Sequence, residues 1–199
     1  MAKIDFSLVE QLREKSGAGV ILCKEALEDS DGDIKKAMDY IRKKGAAKFA
    51  KRAERNASEG VIGVYIHGVD QKTAALVELN CETDFVARGE DFRNLAHDLA
   101  MQVAAMSPEY VDRNSVPKEA LEKERQLIKE SDDLKGKPEN MVDKIVEGKL
   151  EMFYEEKCLM DQKFFKDNDL KVQDLIHDAV AKIGEKIEVS RIYRMVVGG

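Results

Sequence analysis

The sequence predicts an α+β fold: a three-helix N-terminal domain, then a three-stranded antiparallel sheet core carrying helices and an inserted helical hairpin. Three observations lead there. Apolar residues recur at helical spacing up to residue 45 and again beyond residue 90. Two β-rich runs, "EGVIGVYIHG" and "KTAALVELN", flank a short turn around Gly68 and Asp70. A third, "IEVSRIYRMVV", closes the chain and is placed to join that hairpin. Helices, two strands, helices and one strand is an α+β order.

Residues 1–45 form the N-terminal domain. Ser7 and Glu10 stand at capping-box spacing, so the first helix is expected to begin at Ser7. Leu8 and Leu12 give it an inner face, and "SGAG" (16–19) breaks it. A second helix runs from Val20 to Glu28, and "DSDGD" (29–33) supplies a turn with capping side chains. In the third, Ile34, Ala37, Met38 and Ile41 share one face, and the helix is expected to stop before Gly45. Three short helices make a marginal core, so this unit is expected to dock on a partner. Residues 46–58, "AAKFAKRAERNAS", read as a basic helical connector, because alanine, lysine, arginine and glutamate favour helix.

Residues 59–199 form the core domain. The first strand places Val61 and Tyr65 on one face and Ile62, Val64 and Ile66 on the other. A sheet apolar on both faces must be covered on both. Phe92, Leu95, Ala96, Leu99, Ala100 and Val103 mark a long amphipathic helix that ends before Pro108. A charged antiparallel helical hairpin follows at about 117–155, turning through "KGKPEN" (135–140) with Gly136 and Pro138. Val172, Leu175, Ile176, Ala179, Val180 and Ile183 mark the last helix, with Gly184 as its cap.

Composition excludes several function classes. The chain has 199 residues, 43% of them hydrophobic and 36% charged, with a net charge of −6. An acidic balance argues against nucleic acid as the main partner, since phosphate binding needs a basic face. No run of about 18 apolar residues is present to span a membrane, and the N-terminus lacks a signal sequence. The protein is therefore expected in the cytoplasm. Cys23, Cys81 and Cys158 are odd in number and far apart, which fits a reducing compartment rather than a zinc site or disulfide framework.

Catalytic chemistry finds little support. His67, His97 and His177 lie in different elements. No P-loop, nucleophile elbow or paired-histidine metal motif occurs. Cys81, with His67 on the neighbouring strand, is weighed as a nucleophile, but a thiol ending an apolar strand reads as a small core residue. Glu82 and Asp84 are weighed as metal ligands, but their loop lacks the oxygen density of calcium loops. No catalytic residue, metal or cofactor is assigned. The end of the N-terminal domain and the connector together carry Arg42, Lys43, Lys44, Lys48, Lys51, Arg52 and Arg55 against Glu54. It reads as a solvated helix or as an RNA contact, with only Phe49 for stacking.

One stretch resists these readings. In "LNCETDFVAR" (79–88) a strand runs into polar residues, and Phe85 stands among them. Phe85 either folds back onto its own domain or protrudes as a wedge. Burying one phenylalanine in a partner yields roughly 1.5–3 kcal/mol. Asp84 beside it needs a donor or cation there.

The residues also resemble a known family. "SLVEQLREKSGAGVILCKEAL", "DGDIKKAMDYIRKKGAAKFAKRA", "ELNCETDFVAR" and "GKPENMVDKIVEGKLEMFYEEKCLMDQKF" are similar to segments of the elongation factor Ts family. The resemblance implies a guanine nucleotide exchange factor for elongation factor Tu, acting in translation elongation and making or breaking no covalent bond. It implies that Thr83, Asp84, Phe85 and Val86 form an exchange wedge, with Asp84 and Phe85 inserting between helices of the partner's G domain near its magnesium site. It implies that the N-terminal domain, similar to a ubiquitin-associated fold, docks through Leu12, Arg13, Val20 and Ile21. Val20 and Ile21 stand where the family usually has methionines. The longest family members carry two strand–strand–helix cores and this chain carries one, so a homodimer through the free sheet face is expected. The alternative is an RNA-binding accessory protein of the translation machinery using the basic connector.

Overall fold

The computed structural model describes residues 5–131, 134 and 138–198. The fold is α+β, and the described chain divides into two compact units. The first holds the chain up to Gly63, Glu78–His97 and Gln173–Ser190; the second holds Val64–Val77, Asp98–Val172 and the chain from Arg191.

The first unit begins with helices α1 (Phe6–Ser16), α2 (Val20–Asp29) and α3 (Ile34–Arg52). Asp5, not Ser7, caps α1: its carboxylate accepts the Ser7 N–H at 3.2 Å. The cap therefore lies two residues earlier than the Ser7–Glu10 spacing suggests, and Asp5 satisfies the first orphan donor. Asp33 caps α3, accepting the Lys35 and Lys36 N–H groups at 2.8 and 3.1 Å. Val9, Leu12, Cys23, Ala26, Leu27, Ala37 and Ile41 are buried together as the core of this helical unit.

The expected stop before Gly45 does not occur, and α3 runs on through "AAKFAKR" to Arg52. Gly45 serves packing instead. A Cβ at this position would lie 2.7 Å from the carbonyl oxygen of His177, in α8 (Val172–Ile183). One turn further on, the Phe49 ring meets the His177 imidazole with 5.0 Å between centroids. Glycine weakens a helix by about 1 kcal/mol relative to alanine, and close contact with a second helix offsets that.

Strands β1 (Glu59–His67), β2 (Thr73–Cys81) and β5 (Ile187–Val196) form one antiparallel sheet in the order β1-β2-β5, so the last strand joins the hairpin beside β2. In the first unit the inner face is closed by α5 (Glu90–Met106), and Gly63 lies so near the Ala96 carbonyl that no side chain fits between them. In the second unit Arg194 Nε donates to the Ala104 carbonyl at 3.1 Å from the same face. Further along β5, Tyr193 and Met195 are 61% and 75% exposed. Val64, Ile66 and Leu76 are exposed with them.

The second unit carries the helical hairpin, α6 (Lys118–Lys129) and α7 (Glu139–Lys157), around buried Ile128, Leu134, Val146 and Leu150. Of the loop expected at 135–140, residues 135–137, Gly136 among them, lie outside the described residues; α7 starts directly after Pro138, so Glu139 and Asn140 are helical rather than loop. A ribbon of β3 (Lys163–Phe164) and β4 (Asp167–Lys171) follows. Buried Gln102 ties it to α5, donating to Gln162 Oε1 and the Lys163 carbonyl, both at 3.0 Å, and accepting the Phe165 N–H at 2.9 Å. No described helix is long and apolar enough to cross a membrane.

Candidate functional site

β2 stops at Cys81 and the chain enters α4 (Asp84–Ala87), a single helical turn. Thr83 caps it in an extended conformation, its Oγ1 accepting the Val86 N–H at 3.4 Å. The turn closes with Ala87 N–H to Thr83 O at 3.2 Å and Arg88 N–H to Asp84 O at 3.0 Å. Helical periodicity then decides where each side chain goes. Ala87 is buried, Val86 is half-buried, and Phe85 points away from both, 82% exposed. Of the two outcomes the sequence leaves open for Phe85, the ring protrudes. Asp84 Oδ2 meets Arg88 Nη2 at 3.0 Å, an exposed pair one helical turn apart. Such pairs contribute about 0.3–0.5 kcal/mol, so a partner can separate them at little cost.

Beneath the exposed ring the loop is braced. Glu185, in the turn between α8 and β5, accepts the N–H groups of Glu82 and Thr83 on Oε2 at 3.1 and 3.0 Å. Its Oε1 accepts the Thr83 hydroxyl at 2.6 Å. In return, the Glu82 carboxylate accepts the Lys186 N–H at 2.6 Å and meets Arg55 Nη1 at 3.2 Å. The Lys186 N–H, and secondarily Arg55, hold the Glu82 carboxyl below the usual carboxylate range. Glu185 and Lys186 are not legible as site residues in the sequence, and Arg55 reads there only as part of the basic run. Glu185 lies 102 positions from Thr83, and no local pattern marks such a contact.

Cys81, Glu82 and Asp84 are all taken up by contacts within the fold. The Cys81 thiol donates to the Thr83 carbonyl at 3.2 Å, and burial pushes its pKa up to about 11, the opposite of what a nucleophile needs. Glu82 and Asp84 each face an arginine. All three cysteines are buried, and burial also lifts Cys158 to about 11.

The residues expected to dock from the N-terminal domain divide by exposure. Arg13, Val20 and Ile21 lie at the surface, Ile21 at 77% exposure in the first turn of α2. Leu12 is wholly buried in the three-helix core, so it supports that surface from below rather than forming part of it. Phe6, which sequence reasoning passed over, is exposed at the start of α1.

Comparison with known proteins adds the following. Residues 32–199 match the family described as Elongation factor TS. Elongation factor Ts of Moorella thermoacetica is 54% identical over 190 residues, covering 96% of this chain and 93% of that protein. Elongation factor Ts of Thermosipho melanesiensis is 51% identical over 195 residues, covering 98% of this chain and 99% of that protein. Elongation factor Ts of Thermodesulfovibrio yellowstonii is 52% identical over 196 residues, with 98% and 96% covered.

Proposed function

We propose a function from one premise: the chain belongs to the elongation factor Ts family and is a translation elongation factor. The finer reading is guanine nucleotide exchange on elongation factor Tu. The observation that carries it is the exposed Phe85 ring on a helical turn braced from beneath. A phenylalanine held out in water is unfavourable for a free protein and gains roughly 1.5–3 kcal/mol when buried in a partner.

The thermodynamic logic is reciprocity. A nucleotide held near nanomolar affinity is bound by about 12 kcal/mol. The factor need not compete for the nucleotide pocket, because it is enough to bind the empty partner better than the GDP-bound one. Whatever GDP costs the factor in affinity, the factor costs GDP. Each 1.4 kcal/mol of that coupling, roughly, is a tenfold change. On this reading Phe85 fills an apolar slot between helices of the G domain and Asp84 exchanges Arg88 for a polar group near the magnesium site. Thr83 and Val86 shape the turn, and Arg13, Val20 and Ile21 make a second docking surface over Leu12. The protein changes no covalent bond and works in the cytoplasm, where its partner works.

A second copy of this chain is the occupant proposed for the outer sheet face. Val64, Ile66 and Leu76 alternate with buried Gly63, Ala75 and Val77 and leave an exposed apolar face on the β1–β2 pair, the kind of surface that a twofold-related copy covers with itself. Sedimentation as a monomer at micromolar concentration rules the homodimer out.

The test of exchange is release of fluorescent GDP from elongation factor Tu with and without this protein. Acceleration supports the reading; an unchanged release rate ends it.

A further inference from the structure

We propose that Glu185 is a positioning residue, holding the Thr83–Arg88 turn in its inserting shape before any partner arrives. This rests on the exchange reading above and adds to it the device that makes the wedge ready.

The geometry is that of a clasp. Two neighbouring backbone N–H groups and one hydroxyl converge on a single carboxylate, with Glu82 and Thr83 N–H on Oε2 and the Thr83 hydroxyl on Oε1. These donors sit where the sheet ladder ends and a helix begins, the point at which backbone groups lose regular partners. The hydroxyl contact does a second thing. By directing the Thr83 proton toward Glu185, it leaves an oxygen lone pair facing the Val86 N–H, which is the cap that starts α4. Hydrogen bonds to an ionised acceptor are shorter and stronger than neutral ones, and the 2.6 Å contact fits that class.

The clasp closes from the other side as well. The Glu82 carboxylate takes the Lys186 N–H at 2.6 Å, so each glutamate binds the backbone beside the other. Lys186 is itself held, its Nζ donating to the Arg55 carbonyl at 3.0 Å and pairing with Glu188 at 2.8 Å. The chain reaches this position directly from Gly184, whose φ of 88° ends α8 and turns the next residue toward the loop.

A four-residue helical turn cannot hold itself, because isolated helices below about 12 residues are marginal in water. The shape of α4 must therefore come from its surroundings, and Glu185 supplies three of the contacts that set it. A loop that is already shaped loses less freedom on docking. If only about a tenth of molecules hold the shape, apparent affinity falls about tenfold, whereas the docked complex, once formed, has the same contacts. The predicted signature is a separation of two kinetic parameters. Losing Glu185 raises the concentration for half-maximal exchange and leaves the rate at saturation nearly unchanged.

The experiment has two arms. In the first, release of fluorescent GDP from elongation factor Tu is followed over a concentration series of wild type, Glu185→Ala and Glu185→Gln. Glu185→Ala is expected to raise the half-maximal concentration about tenfold with a plateau within about twofold. Glu185→Gln, which keeps one acceptor oxygen, is expected to fall between. In the second, amide hydrogen exchange of the free protein is expected to speed up at residues 82–88 in Glu185→Ala and less in Glu185→Gln, with α1–α3 unchanged. Equal half-maximal concentrations, or unchanged protection at 82–88, overturn the proposal. So does a lowered plateau with an unshifted half-maximum. If wild type fails to accelerate release, the exchange reading fails, while the second arm still decides whether Glu185 shapes the turn. If the alanine variant does not fold, the glutamine variant carries both arms.

Discussion

Arg113 donates both its Nε–H and Nη2–H to one oxygen of Asp161, at 2.9 and 2.7 Å, while gripping Glu151 with two further bonds at 2.8 and 2.7 Å. Its guanidinium lies over the Tyr154 ring, 4.6 Å from the centroid. Asp161, and then Glu151, make the guanidinium hold its proton more tightly than usual. This cluster ties the root of α7 to the short helical turns on either side of the hairpin.

Arg113→Met keeps the bulk and removes the donors. It leaves the buried Asp161 carboxylate with an unmet oxygen, a loss of about 1–3 kcal/mol. Calorimetry should show a melting midpoint lower by about 2–4 °C per kcal/mol. An unchanged midpoint would mean the cluster is idle. Glu151→Gln should matter less, because that end of the cluster is exposed and water replaces it.

Phe85→Ala should leave the fold intact, since the ring is mostly in water, with a stability change within about 0.5 kcal/mol. The same variant should slow GDP release from elongation factor Tu by about ten- to a hundredfold, the equivalent of one buried phenylalanine. Wild-type exchange by the variant would remove the wedge from the mechanism.

Asp178 gives a pH prediction. Burial lifts its pKa from 3.8 to about 6, with Arg42 opposing and Asp174 adding to the rise. Between those values the folded protein keeps a proton that the unfolded chain has lost. Stability therefore falls as pH rises through that window. Asp178→Asn should gain about 1–3 kcal/mol at pH 7 and flatten the dependence between about pH 4 and 6. Equal pH profiles for the two proteins would count against this. Glu82 and Glu151 act with the opposite sign, since their depressed pKa values withdraw stability as pH falls below 4.5.

If a second copy covers the outer face, Ile66→Glu puts a charge there without touching the core, because Ile66 is exposed on the side of β1 opposite buried Gly63. Sedimentation equilibrium should show weaker self-association, by about tenfold or more, with an unchanged melting curve at low concentration. Identical association by both proteins would place any dimer contact elsewhere.

The fold class and the three-strand sheet were legible in the sequence because helical spacing of apolar residues marks the helices, and β-rich runs bounded by turn residues mark the strands. What failed was local punctuation. Gly45 reads as a helix stop, yet its use is to let α3 and α8 touch, and the identity of the neighbouring helix is nowhere in the surrounding residues. Asp5 and Ser7 both offer caps, and only backbone geometry decides between them. "KFFKDNDLK" is too short and too polar to announce β3 and β4, and buried Gln102, which bonds the backbone of Lys163 in β3 and of Phe165 in the turn after it, lies 61 and 63 positions away from them. At the site, "TDFV" was visible as an odd aromatic among polar residues. Its direction was not, because that depends on Ala87 being the buried corner of the turn. Glu185 was hidden altogether, separated from Thr83 along the chain by α5, the helical hairpin, the ribbon and α8.

All three native thiols are sealed in the interior and two are held far above the pH of ordinary labelling chemistry. A cysteine brought in by Arg88→Cys would therefore react alone with a maleimide dye, beside the protruding ring. A fluorophore attached there would watch docking as it happens, in a chain that needs no background cysteine removed first.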